Sequence, residues 1–129
     1  MEIEGVKIAF YVCYDLRFPV WSRNYELSYD AAIYIANWPE ERRAHWVALL
    51  KARAIENQAY VIGVNRIGID GNGIKYSGDT GVYSPLGVKI STTKPFENKV
   101  ESIALNMEEL NDYRVNFPTH LDADKFNLL

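Results

Sequence analysis

The chain has 129 residues, 48% of them hydrophobic, with fourteen basic against seventeen acidic side chains and a net charge of −3. That is enough apolar material for one domain with its own core, and no basic cluster favours nucleic acid or an anionic membrane surface as a partner. No run approaches the ~18 apolar residues of a membrane span, Met1-Glu2-Ile3-Glu4 lacks the pattern of a signal peptide, and a single cysteine excludes an internal disulfide, so a cytoplasmic protein is expected.

In chain order, Val6-Lys7-Ile8-Ala9-Phe10-Tyr11-Val12 is rich in β-branched and aromatic side chains and predicts a buried strand. It delivers the only cysteine, Cys13, to a change of pattern, because Pro19 suits the first turn of a helix and Phe18 before it is biased to extended backbone. Cys13 therefore falls in a strand-to-helix turn, where a side chain opens on the crevice at the carboxyl end of a sheet near amides able to hold an oxyanion. A lone cysteine is more often a small buried residue, but Asp15 and Arg17 put opposite charges directly after an apolar strand, which favours a positioned polar site.

A helix from about Pro19 to Tyr25 is expected next, followed by a second buried strand at Ala31-Ala32-Ile33-Tyr34-Ile35-Ala36, bounded by Asp30 and by Asn37-Trp38-Pro39. Strand, helix, strand implies a parallel βαβ unit. Glu41 to Gln58 reads as a long helix with Ala44, Val47, Leu50 and Ala54 on its inner line. Tyr60 to Asn65 reads as a third strand, and Arg66 to Gly73 as a loop with a turn at Asp70-Gly71-Asn72-Gly73. Thr80–Tyr83, Val88–Thr92 and Val100–Leu105 then predict an antiparallel meander on the sheet edge, turning at Ser84-Pro85-Leu86-Gly87. Asn106 caps a helix from Met107 to about Arg114, and Phe126 with Leu128-Leu129 in the tail calls for a partner surface.

His45 and His120 lie far apart and only one cysteine exists, so no metal site is expected. His45 beside Trp46 reads as a packing residue more readily than as a base for Cys13, and Arg53 with Glu56 as an ion pair on one helix.

Cys13-Tyr14-Asp15-Leu16-Arg17-Phe18-Pro19, Ala36-Asn37-Trp38-Pro39, His45-Trp46, the run from Leu50 to Val61, Gly63-Val64-Asn65-Arg66 with Asp70-Gly71-Asn72-Gly73, and Gly78-Asp79-Thr80 resemble the nitrilase superfamily of carbon–nitrogen hydrolases. Within it the chain is most similar to the bacterial omega-amidase branch, from Val6 through Asp122-Ala123-Asp124-Lys125-Phe126. The resemblance implies an α/β fold: half of an α-β-β-α sandwich, a mixed sheet with helices on one face, with residues 1–129 as the carboxyl-terminal half.

The resemblance also implies that Cys13 is the nucleophile, that the backbone amide of Tyr14 helps hold the oxyanion, and that the substrate is the omega-amide of a 2-oxo dicarboxylic acid monoamide. A nitrile or N-carbamoyl substrate, or a catalytically silent assembly fragment, are the alternatives. Trp38, Arg42, Arg43 and Arg66 are the candidate substrate-binding residues, arginine being suited to a carboxylate. No cofactor is implied. The family's catalytic glutamate and lysine precede the cysteine strand, and Glu2, Glu4 and Lys7 do not match their motifs. The fragment alone is therefore expected to be inactive, and to associate with a second copy or with the missing amino-terminal half.

Overall fold

The computed structural model describes residues 1–124, so the expected contact of Phe126, Leu128 and Leu129 lies outside the described residues. Among the described residues five strands form one sheet in the order β1 (Glu2–Ile3), β2 (Val6–Val12), β3 (Ala31–Ala36), β4 (Tyr60–Asn65) and β7 (Gly81–Tyr83). β2, β3 and β4 run parallel, whereas β1 and β7 are antiparallel edges. β5 (Ile67–Ile69) and β6 (Lys75–Ser77) form a separate hairpin around the Asp70–Gly73 turn, so the expected loop contains a strand. Asp70 builds that turn, its Oδ1 accepting from the amides of Asn72 and Ile74.

The strand register sorts the side chains onto two faces. Ala9, Tyr11, Ala32, Tyr34, Val61 and Tyr83 share the face covered by helix α1 (Arg43–Asn57), where Trp46, Leu50 and Ala54 are fully buried against them. Gly63 permits this close approach, since a Cβ there would fall 2.3 Å from Leu50 Cδ1. The opposite face presents Phe10, Val12, Ile35 and Val64, all exposed, beside half-buried Ile8, Ile33 and Ile62. Only its lower end is covered, where Leu110 of helix α2 (Met107–Asn116) packs with Leu105 and Met107 against Ala31, Tyr60 and Ile62. Val61 lies on the covered face, under α1, and is fully buried.

Three expectations are corrected. Pro19–Tyr25 is not a helix: the β2-to-β3 crossover is made of turns and a short 3-10 piece, Tyr25–Leu27. Asn24 holds it in that form, donating to the carbonyls of Tyr29 and Asn57 while its Oδ1 accepts from Tyr29 N–H, so side chain and tertiary partners satisfy the backbone instead of a helical ladder. The inner line of α1 is not Ala44 and Val47, which are exposed, but Trp46, Leu50, Arg53, Ala54 and Asn57. The meander also stops short: Val88–Thr92 contributes a single bridge, Lys89 to Tyr83, and Val100–Leu105 forms no strand. Glu101 ties this segment down, its two carboxylate oxygens accepting from the backbone and hydroxyls of Thr92 and Thr93. Asn106 caps α2 as expected, accepting from the amides of Glu108 and Glu109.

Candidate active site

Three parallel strands end side by side, and the residues just past their carboxyl ends form the site: Cys13 after β2, Asn37 and Trp38 after β3, Arg66 after β4. Cys13 opens a 3-10 turn, Cys13–Arg17, with φ 45°, a left-handed conformation unusual for a side-chain-bearing residue. The turn is pinned by Asp15, whose Oδ2 accepts from Val12 N–H at 2.9 Å. Cys13 is half-buried: it touches the core under α1 and also lines a shallow cleft of about 330 Å³ with Val12, Ile35, Ala36 and Asn37. It is thus neither sealed in the core nor loose on the surface.

Arg17 stacks on the neighbouring strand end. Its guanidinium lies 4.6 Å from the Trp38 ring centroid and 5.8 Å from that of Tyr14, and its Nη2 donates to His45 Nδ1 at 3.3 Å. His45 Nδ1 is therefore an acceptor occupied by Arg17. Trp38 is 3% exposed, its indole N–H donating to Arg42 O at 2.8 Å and its ring tilted against Trp46 at 5.5 Å. It forms a wall beneath Arg17 with little surface left for a ligand.

Two buried polar residues brace these turns, and neither was singled out as a site residue from the sequence. Asn65, the last residue of β4, accepts from Trp38 N–H at 2.7 Å and donates to the carbonyls of Trp38 and Gly78 at 3.0 and 2.9 Å, which locks the β3 and β4 ends together. Asp79, with φ 53°, accepts from Arg43 through both oxygens, at 3.2 and 2.6 Å, and from Ser77 Oγ, while its carbonyl accepts from Trp46 Nε1. Both lie within motifs that carry the family resemblance, but their role depends on long-range pairing that local spacing does not reveal.

The three candidate arginines have different fates. Arg43 is engaged by Asp79, whose hydrogen bond holds the guanidinium above its ordinary pKa. Arg42 lines a larger groove of about 660 Å³ between Pro39–Arg43 and Gly73–Lys75, in company with Glu40, Glu41 and Lys75, and among the described residues this groove shares no lining residue with the Cys13 cleft. Arg66 is exposed, its guanidinium 4.6 Å from the centre of the Tyr76 ring, and its amide donates to Ala36 O at 3.3 Å, beside the cleft. The Tyr76 hydroxyl donates to Asp70 Oδ2 at 2.9 Å. That bond is the main cause of the raised pKa of Tyr76, to which Cys13 adds a smaller upward and Arg66 a downward effect.

Residues 1–115 match the carbon–nitrogen hydrolase family. The chain belongs to that family. It is 53% identical to the omega-amidase YafV of Escherichia coli (strain K12) over 128 residues, which are 99% of this chain and 50% of that protein. It is 32% identical to the 2-oxoglutaramate amidase of Bacillus subtilis over 125 residues, 96% of this chain and 48% of that protein. Among solved structures, a CN-hydrolase superfamily protein from Xanthomonas campestris, with an arsenic adduct in its active site, superposes with a TM-score of 0.94 at 39% identity, covering 100% of this chain and 51% of that one. This carbon–nitrogen hydrolase chain spans about half the length of the curated relatives it matches.

Proposed function

We propose that this chain is the carboxyl-terminal, nucleophile-bearing half of an omega-amidase-like enzyme that hydrolyses the terminal amide of a short 2-oxo dicarboxylic acid monoamide. The observation that carries the reading is the position of Cys13: half-buried, at the carboxyl end of the parallel strands, on a left-handed turn that opens on a cleft. In the reaction we assign, the Cys13 sulfur attacks the amide carbonyl and the C–N bond breaks. Ammonia leaves with the added proton, and a thioester remains. Water then attacks that thioester, the acid departs, and the thiol is restored. We assign a contact with the oxyanion to the backbone amide of Tyr14.

The base that activates the thiol and the cation that completes the oxyanion site belong, in this reading, to the remaining half. Lys7 and Glu4 cannot supply them, because β2 separates them from Cys13: six residues of strand at ~3.3 Å each put Lys7 about 20 Å away. The bare sheet face then fits as the surface the remaining half covers, and a single cysteine and the lack of any described helix long and apolar enough to cross a membrane fit a cytoplasmic enzyme.

The test is ammonia release from 2-oxoglutaramate by a protein containing this chain together with its other half, and by the 129-residue chain alone. The two-half protein is expected to turn over and to lose activity on Cys13→Ala. The chain alone is expected to be slower by many orders of magnitude, since two groups that stabilise the transition state are missing. Comparable turnover by the chain alone, abolished by Cys13→Ala, would show that it carries a complete site.

A further inference from the structure

The arginines near the strand ends differ in what already holds them. Arg43 is bound to Asp79, Arg17 to Trp38 and His45, and Arg53 to Glu56 and Leu16 O. Among the described residues Arg17, Arg23, Arg42 and Arg66 are in no ion pair, but Arg17 donates to His45 Nδ1 and Arg23 to Glu56 O, which leaves Arg42 and Arg66 as the two whose guanidinium makes no hydrogen bond. Their surroundings separate them. Arg42 sits with Glu40, Glu41 and Lys75 in a groove that shares no lining residue with the Cys13 cleft. Arg66 follows β4 directly, is bonded through its amide to Ala36 on the Cys13 cleft, and has its guanidinium spread on an aromatic face.

We propose that Arg66, laid over Tyr76 beside the Cys13 cleft, is the residue that receives the carboxylate of a small anionic substrate. The inference rests on the reading of Cys13 as nucleophile and adds to it the group that selects the substrate's other end. The physical case is pre-organisation. A guanidinium on a ring is restrained in position while its N–H groups stay available for a bidentate pair, which lowers the entropy lost on binding. Tyr76 is itself fixed by its hydroxyl bond to Asp70, and Asp70 by the amides of Asn72 and Ile74. The β5–β6 hairpin is thereby a braced platform under the Arg66 guanidinium, whose own backbone amide is bonded to Ala36 on the cleft. Such an arrangement discriminates between an amide with a distal carboxylate and a neutral amide of the same length.

The test compares two reagents on the folded chain: 3-maleimidopropionate, whose carboxylate lies several bonds from the carbon that sulfur attacks, and N-ethylmaleimide, its neutral counterpart. The ratio of their rates at Cys13, followed by intact mass, reports attraction of a carboxylate and needs no turnover. Arg66→Gln is expected to lower the ratio about three- to tenfold, the range of a partly screened charge pair; the ratio cancels any change in the reactivity of the thiol itself. Arg66→Lys should retain part of it. An unchanged ratio in Arg66→Gln, or an equal or greater fall in Arg42→Gln, would overturn the assignment to Arg66 while leaving Cys13 as nucleophile. Failure of both reagents to modify Cys13 before unfolding would overturn the nucleophile reading, and this inference with it.

Discussion

At the scale of single residues, the conformation of Cys13 matters as much as its chemistry. A φ of 45° costs a residue with a Cβ roughly 1–2 kcal/mol, and the strain is held by Asp15 below and by the packing of Leu16, which is fully buried. Removing the thiol alone should not remove the strain. Cys13→Gly is therefore expected to be more stable than Cys13→Ala by about 1 kcal/mol in urea unfolding, although both lack the sulfur. Equal stability of the two variants would mean that no strain is stored at this turn. The turn was legible in the sequence because an apolar β-branched run stops abruptly at a polar segment. The meaning of Asp15 and Arg17 was less so: they are charges that build the turn and stack across to Trp38, and the Arg17 stack depends on a residue about twenty positions away.

The elements show where periodicity succeeds and where it fails. The three parallel strands were legible because each is a short apolar run closed by turn residues, and the cap of α2 because Asn106 with two glutamates in the first turn serves a local need. The inner face of α1 was not. Its buried stripe contains Arg53 and Asn57; the Arg53–Glu56 pair was legible from its spacing and is present, but the burial of the guanidinium depends on Leu16 O, which only the fold brings to it. The same helix sits so close to β4 that Gly63→Ala would bring Cβ within 2.3 Å of Leu50 Cδ1 and 2.8 Å of Trp46 Cζ2, both in the packed core. We expect a loss of about 1–3 kcal/mol, read from the urea midpoint, through displacement of α1. A neutral effect would mean that the helix shifts without cost.

The long segment after β7 fails as a meander for a different reason. One carboxylate joins its two ends, alongside bonds such as Phe96 N–H to Ser77 O and Lys89 Nζ to Thr93 O: hydrogen bonds from Thr93 and Thr92 hold the Glu101 pKa down at about 2, against an ordinary value of 4.5. A folded value below the unfolded one means that the stabilisation is complete above the ordinary value and fades as the pH falls toward about 2. Glu101→Gln should accordingly lower the thermal midpoint near neutral pH, and the difference from the unsubstituted chain should close as the pH is taken down through that window. A difference that persists at the acid end would assign the effect to lost packing and not to the charge.

At the scale of the whole molecule, the sheet has one finished face and one unfinished one. Phe10, Val12, Ile35 and Val64 form a continuous apolar patch across three paired strands, between half-covered Ile8, Ile33 and Ile62, with α2 closing only the lower end. Soluble monomers seldom expose patches of more than a few hundred Å², and each ~100 Å² covered contributes about 2.5 kcal/mol, a large share of the stability of a small domain. For the chain by itself, a second copy of the same face is the simplest cover, because a two-fold axis lets one patch satisfy itself. The 129-residue chain is therefore expected to exceed monomer mass by light scattering at low micromolar concentration. Ile35→Lys, on the exposed centre of the patch, should shift it toward monomer, because pairing would then bury an unpaired charge. Val61→Lys is no substitute for this experiment, since its side chain points into the core under α1 and would unfold the chain. A monodisperse monomer that unfolds cooperatively before any substitution would show that the apolar face is tolerated in water, and the argument from the unfinished face would fail.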